Sequence, residues 1–339
     1  MQYRSIADMN DAIVRNLYKL PSGIDLVVGV PRSGLLAANL LSLVANIPLT
    51  DLDSFLDGRM YSSGTSSKRA ARLDRGFGEM RRILVLDDSI KSGDAMRRAR
   101  ERIAKAGIEA ELIFAAIYGL ESSHPDVDVI FEKVENPRLF QWNFMHHVVL
   151  EKACVDIDGV LCRDPTKQEN DDGEAYRRFI AEAVPLLTTS RKIGWLVTSR
   201  LEKYRGLTEE WLRRQGIQYG ELVMLDLPSK EERQRQRAHG SFKAEFYKRS
   251  TGTLFIESEH RQAETIAQIS GKPVLCVETH QVYLPDPMTP AAMQQQFRNL
   301  PSRFKQTRRS TGAAFKGMAR DVLGDRAFMA LKAIMRPQS

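Results

Sequence analysis

Apolar positions along the chain fall into two periods that alternate. Ile6, Met9, Ile13 and Leu17 recur at helical spacing near the N-terminus. A β-rich run, DLVVGV at 25–30, stops at Pro31, Arg32, Ser33 and Gly34, after which LLAANLLSLVA reads as a helix. A polar stretch rich in Gly, Ser and Arg covers 57–78. The run ILVL at 83–86 then predicts a strand, followed by an acidic, Gly-containing turn and a charged helix over about 95–106. Further strands are expected at 112–117 and near 129–131. A second series opens with KACVDI at 152–157 and continues through a helix at 174–187, the strand IGWLV at 193–197 and the helix LTEEWLRRQ at 207–215. It closes with the strands ELVML and TLFI, a helix at 260–269 and the strand PVLCV.

Strands that alternate with helices build mostly parallel sheets covered on both faces. The expected fold class is therefore α/β in two domains. The join is placed near Val148, and Pro285, Pro287 and Pro290 mark the end of the second domain. The expected division is 1–148, 149–290 and a tail at 291–339. A length of 339 residues suits two domains of ordinary size, each with its own core. With 42% hydrophobic and 27% charged residues and no apolar run of about 18, the chain does not read as an integral membrane protein. The N-terminus lacks the apolar core of a signal peptide, so a cytoplasmic location is expected. Cys154, Cys162 and Cys276 are odd in number and lack metal-ligand spacing, which predicts buried thiols.

The net charge of +7 is local: from Arg298 onward ten Lys and Arg face Asp321 and Asp325, leaving the rest of the chain near neutral. In the tail, Phe315, Met318, Val322 and Leu323 recur at roughly helical spacing among cations. That pattern suits a basic amphipathic helix on an anionic membrane surface, which would place the protein peripherally at the inner face. A helix packed on its own domain has the same pattern. Nucleic acid is not expected as a partner, because no aromatic stacking platform accompanies the charge.

The segment LVLDDSIKSGDAM at 84–96 places two acids at a strand end, before a small polar loop that opens a helix. Asp87 and Asp88 are suited to accept hydrogen bonds from ribose hydroxyls. The backbone N–H groups of the loop and the helix dipole behind them suit a phosphate. A turn with a capped helix uses the same residue types. The segment resembles the signature of type I phosphoribosyltransferases, which use phosphoribosyl pyrophosphate (PRPP), and GVPRSG at 29–34 resembles their pyrophosphate loop. The resemblance implies PRPP contacts from Arg32, Ser33 and Gly34, from Asp87, Asp88 and Ser89, and from Lys91, Ser92, Gly93, Asp94 and Ala95. Arg59 and Lys68 would belong to the family's mobile hood, with Tyr61, Arg69 and Arg72. Two departures are Asp94, which adds negative charge inside the phosphate loop, and Ala95, which lacks the usual hydroxyl.

In CVDIDGVLC, at 154–162, an apolar strand ends in Asp-x-Asp-Gly. This resembles the first motif of HAD-superfamily phosphatases. The resemblance implies that Asp156 is the nucleophile, that Asp158 is the acid and base, and that Thr198 binds phosphoryl oxygens. Lys243 in SFKAEF fits the family's cation, and Lys230 and Lys248 compete with it for that place. Glu257 or Glu259 fits the acidic motif, so a Mg²⁺ ion would be held among Asp156, Asp158, Glu257 and Glu259. Short connections leave little sequence for a cap, so an open HAD-like Rossmannoid sandwich with a minimal cap is expected. Trp142, Asn143, His146 and His147 near the join read as a strand-end core cluster rather than a site.

A phosphoribosyl transfer leaves a 5-phosphate that a phosphatase in the same chain could remove. The pair resembles the ribofuranose-installing enzymes of bacterial capsule and O-antigen assembly. It implies PRPP and a glycan acceptor, in lipid-linked form, as partners, with pyrophosphate released first and phosphate second. Nucleotide salvage, with a nucleobase acceptor and a 5'-nucleotidase step, is the alternative enzyme. A PRPP-sensing regulator whose tail binds RNA is the non-catalytic alternative.

Overall fold

The computed structural model describes residues 1–61, 77–235 and 238–286. Lys68, Arg69, Arg72 and the basic tail lie outside the described residues. The chain divides into two compact units, Met1–Trp142 and Asn143–Ser339. The expected join near Val148 falls inside the second, in the 3-10 turns that lead into its first strand.

In unit 1 the first helix, α1 (Ile6–Asn16), starts at a capping box in which Ser5 and Asp8 satisfy each other's backbone N–H. The sheet contains β2 (Leu26–Gly29), β3 (Leu49–Asp51), β4 (Arg82–Ile90), β5 (Glu111–Gly119) and β6 (Val129–Lys133). All are parallel, in the order β3-β2-β4-β5-β6. The run ILVL looks unbroken in sequence because both of its faces are covered. Leu84 and Leu86 join the core under α1 and α2 (Ser33–Ala45). Ile83 and Val85 join the opposite core, under α3 (Leu52–Leu56) and α4 (Asp94–Lys105). Each such fully buried side chain contributes roughly 1.5–3 kcal/mol.

Several features of unit 1 escaped the sequence pattern, among them the edge strand β3 and the helix α3. A two-stranded parallel pair, β1 (Gln2–Arg4) with β7 (Arg138–Phe140), ties the N-terminus to the end of the unit. In addition β4 outruns its apolar run, because β5 continues beside it: Asp87 pairs with Ala116 and Ser89 with Tyr118. Its other neighbour, β2, stops opposite Leu86.

The sheet of unit 2 contains β8 (Ala153–Val155), β9 (Ile193–Leu201), β10 (Tyr219–Leu225), β11 (Leu254–Glu257), β12 (Val274–Cys276) and β13 (Gln281–Tyr283). Their order is β10-β9-β8-β11-β12-β13. All pair in parallel except β13, which pairs antiparallel with β12 and was not foreseen. A short helix, α7 (Lys230–Arg235), precedes α8 (Ala238–Arg249), and α8 and α9 (His260–Ser270) pack on one another and close one core with Cys154, Val197 and Phe255. Helices α5 (Glu174–Glu182) and α6 (Arg205–Arg214) also pair, and the Trp211 indole donates to the Ala183 carbonyl at 2.9 Å. The helix expected to reach 187 ends at Glu182, because Ala183 turns extended ahead of Val184 and Pro185 and proline disfavours helical geometry just before it. The three cysteines are buried and free.

Candidate active sites

In a parallel sheet a crevice opens where successive connections leave a strand in opposite directions, outside the strands' carboxyl ends. Unit 1 has that point between β2 and β4, since β3 lies on the far side of β2. Unit 2 has it between β8 and β11, since β9 lies on the far side of β8. Both acidic motifs sit there.

In unit 1 the loop after β2 brings Ser33 against the acids of β4. The Ser33 hydroxyl donates to Asp88 Oδ1 at 2.7 Å, and Asp88 is 4% exposed. Asp87 Oδ1 accepts from the Asp88 N–H at 2.8 Å. Burial, together with the neighbouring Asp88, pushes the Asp87 carboxyl up to about 8. Gly34 is required by close approach: a Cβ there would lie 2.9 Å from both Asp87 Oδ1 and the Leu86 carbonyl. At the carboxyl end of β4 and just past it, Asp87, Ser89, Lys91, Ser92, Gly93, Asp94 and Ala95 line one cavity of about 210 Å³, and Asp88 is not part of its lining. Gly93, with φ 78°, turns the chain into α4, whose N-terminus faces that loop.

The charge that Asp94 brings into the loop is met locally. It accepts from the Ser92 hydroxyl at 2.7 Å and pairs with Arg97, and these contacts hold its carboxyl below the usual range. Arg97 also binds Asp126 at 2.8 Å. Arg32 is exposed at the start of α2. Arg59 is exposed as well, with its guanidinium 2.7 Å from Asp57.

Trp142 requires a correction. It is more than a member of a core cluster, because its indole N–H donates to Asp88 Oδ2 at 2.8 Å. No local pattern in the sequence could have shown this, since 54 positions separate the two residues.

In unit 2 Lys243 reaches the switch point from α8, a helix the periodicity did not reveal. Its ammonium is 2% exposed and donates to Asp156 Oδ2 at 2.6 Å, Glu257 Oε2 at 2.8 Å and Gln262 Oε1 at 3.2 Å. All three of its protons are thereby used. Asp156 Oδ1 accepts from the Ile157 N–H at 2.8 Å. Burial pushes the Asp156 carboxyl up, opposed by Lys243 and reinforced by Glu257 and Asp158. Burial alone would lower Lys243, but Asp156 and Glu257 reverse that and raise it. Thr198 is fully buried on β9, and its hydroxyl oxygen accepts from the Arg200 N–H at 3.3 Å.

Asp158 has a partner that the motif did not announce. The buried Arg200 guanidinium binds its carboxylate, with Nη2 2.6 Å from Oδ1 and Nε 3.1 Å from Oδ2. Strand alternation puts residues 198 and 200 on one face, and that was the available signal. Gly159, with φ 76°, must lack a side chain: a Cβ would lie 2.4 Å from Ser258 and 2.8 Å from an Asp164 oxygen. Asp156, Asp158, Thr198, Lys243 and Glu259 share a cavity of about 280 Å³ with Asp164, Asn170 and Tyr176.

The four carboxylates expected around Mg²⁺ are not gathered as one set. Among the described residues no group of three or more His, Cys, Asp and Glu is arranged to hold a metal ion. Glu259 caps α9, accepting from the N–H groups of Arg261 and Gln262 at 3.0 Å each, and Asp158 is taken up by Arg200. Asp156 and Glu257 remain. Two carboxylates around one ammonium leave a buried excess of negative charge, which a proton or a divalent cation would offset. Among the described residues no helix is long and apolar enough to cross a membrane.

Residues 2–149 match the family model of the phosphoribosyl transferase domain. The chain is also similar to a xanthine-guanine-hypoxanthine phosphoribosyltransferase from Helicobacter pylori, at 14% identity and a TM-score of 0.30, over 42% of this chain and 91% of that one. A purine phosphoribosyltransferase from Pyrococcus horikoshii matches at 21% identity and a TM-score of 0.29, over 42% and 92%. A search of the curated proteins gave no match.

Proposed function

We propose that the chain is a bifunctional enzyme that transfers ribofuranosyl 5-phosphate from PRPP to a glycan acceptor and then removes the 5-phosphate. The first half starts from the phosphoribosyltransferase domain at residues 2–149. Asp87 and Asp88 would hold the ribose hydroxyls, and residues 91–95 would hold the 5-phosphate. Arg32 to Gly34 would take the departing pyrophosphate. In such a transfer the anomeric C–O bond to pyrophosphate breaks as the acceptor oxygen bonds to that carbon. The protein's part is to position the reactants and stabilise the leaving charge.

The observation that carries the second half is the buried Asp156–Lys243–Glu257 cluster at the sheet switch point, beside Asp158 and Thr198. Asp156 attacks phosphorus, forming an aspartyl-phosphate as the P–O bond to the sugar breaks. Asp158 would supply the proton to the departing alkoxide, which requires it to enter that step protonated and not as the carboxylate paired with Arg200, and would later take one from the attacking water. Arg200 fixes the direction of the Asp158 carboxylate, and Lys243 holds Asp156 in place for attack. Mg²⁺, when bound, would offset the repulsion between the nucleophile and the phosphate. Asp156 and Glu257 would hold it. Membrane attachment of the tail and a lipid-linked form of the acceptor belong to the same proposal.

A coupled assay tests the proposal, using PRPP, Mg²⁺ and a panel of glycans and nucleobases, with pyrophosphate and phosphate followed separately. Wild type should release both with a glycan. The Asp156→Asn variant should release only pyrophosphate and accumulate a phosphorylated ribosyl-glycan. Pyrophosphate release with a nucleobase alone would establish salvage instead, and none with any acceptor would overturn transfer.

A further inference from the structure

The Asp88 carboxylate is almost fully buried, yet the two side chains that hold it are neutral. Ser33 takes Oδ1 and the Trp142 indole takes Oδ2. A lysine or arginine at either place would anchor the carboxylate more tightly and also cancel its charge. Neutral donors orient it, and the half-buried Arg138 guanidinium acts on it only through its field, without a hydrogen bond to it.

The indole is itself held. Trp142 and Phe140 stand two residues apart, and their rings stack at 4.8 Å with planes 6° apart. Tyr118, on β5, stacks on Phe140 at 5.4 Å and lies 6.4 Å from Trp142. These rings restrict rotation of the indole and so fix the direction of its N–H. The same segment supports the phosphate loop: Arg138 donates to the Ile90 carbonyl at 2.9 Å, and Ile90 is the last residue of β4. Residues 138–142 thus brace both halves of the acidic motif from behind, and the sheet packing alone would not require the indole N–H.

We propose that Trp142 is a positioning residue of the unit 1 site, holding Asp88 at the angle needed to accept hydrogen bonds from the ribose hydroxyls of a phosphorylated ribosyl ligand. The inference rests on the reading that unit 1 binds PRPP. Trp142→Phe keeps the stacked ring and removes only the N–H. A hydrogen bond to a charged acceptor is typically worth enough to weaken binding roughly tenfold when it is lost.

Calorimetric titration of the full chain with PRPP and Mg²⁺, and separately with pyrophosphate and Mg²⁺, is the test. The expected result is about tenfold weaker PRPP binding in Trp142→Phe, pyrophosphate binding within about twofold of wild type, and partial recovery in Trp142→His, whose ring again carries an N–H. Equal weakening of both ligands would show general loosening of the unit and overturn the proposal. So would unchanged PRPP binding in the phenylalanine variant. Failure of the wild type to bind PRPP would instead remove the underlying reading and the proposal with it.

Discussion

The two units place carboxylates at the same topological point and hold them by opposite means. In unit 1 the buried Asp88 is oriented by a serine hydroxyl and an indole N–H, and Arg138 acts on it through its field alone. In unit 2 the buried Asp156 shares an ammonium with Glu257. The difference follows the chemistry proposed for each. A carboxylate that binds hydroxyls must be aimed and remain a good acceptor. One that attacks a phosphate must be kept from repelling an anion, so a cation belongs beside it. The sheet explains where these acids are, and the neighbouring side chains explain what each can do.

The comparison breaks most readily where the two chemistries should be separable. Asp156→Asn should lower phosphate release by about a thousandfold or more while leaving pyrophosphate release within about twofold. Asp88→Asn should do the reverse to PRPP turnover and spare hydrolysis of a simple phosphomonoester. Loss of both activities in either variant would mean the sites are not independent. Next in size is the buried cation. Lys243→Met leaves two buried carboxylates with no ammonium and should destabilise the protein by about 3–5 kcal/mol. Adding Glu257→Gln should recover a good part of that, as read from denaturant melts. If the single variant costs nothing, the cluster is not the charged device described here.

Much of this arrangement could be read along the chain, and the unreadable parts share a cause. The inner strands of both sheets appeared as apolar runs, because cores on both faces demand apolar residues at every position, whereas the short edge strands β3 and β13 did not, and Asp87, Asp88, Asp156 and Asp158 stood out as acids ending such runs. The partners that define their chemistry did not. Arg200 and Trp142 reach Asp158 and Asp88 across 42 and 54 positions, and only the folded sheet brings them together. Helix α8 was missed because Lys243 sits on its buried face, which weakens the amphipathic contrast that marks a helix. Glu257 and Glu259 divide along the same line: Glu257 points at Lys243, 14 positions away, whereas Glu259 makes a local cap on the first turn of α9.

A finer test of the contrast lies in Asp87. Its folded value, about 8, is far above the roughly 3.9 of an ordinary aspartate. A carboxyl raised by folding stays protonated in the native state where the unfolded chain has already ionised. Its contribution is therefore fully present below about pH 4 and is lost as pH rises toward about 8. In Asp87→Asn the decline in melting stability across that window should be shallower, by on the order of 1–3 kcal/mol. An identical slope in variant and wild type would show that the Asp87 carboxyl is not the group responsible.

The smallest effect is expected at Arg59, and its size separates fixed contacts from long-range ones. Its guanidinium lies at the surface on Asp57, with 68% of the side chain exposed, so the ion pair itself should contribute no more than about 1 kcal/mol. If Arg59 belongs to a hood over the pyrophosphate, as proposed from the sequence, it acts in the free protein only as a distant positive charge. Arg59→Ala should then weaken PRPP binding about two- to threefold in dilute buffer, and the difference should fade near 1 M salt, where screening shortens to about 3 Å. A tenfold loss that persists in high salt would mean that Arg59 leaves Asp57 and contacts the ligand directly. Unit 1 would then contain a cation that acts at close range on binding, and its contrast with unit 2 would narrow to the way the acids are held.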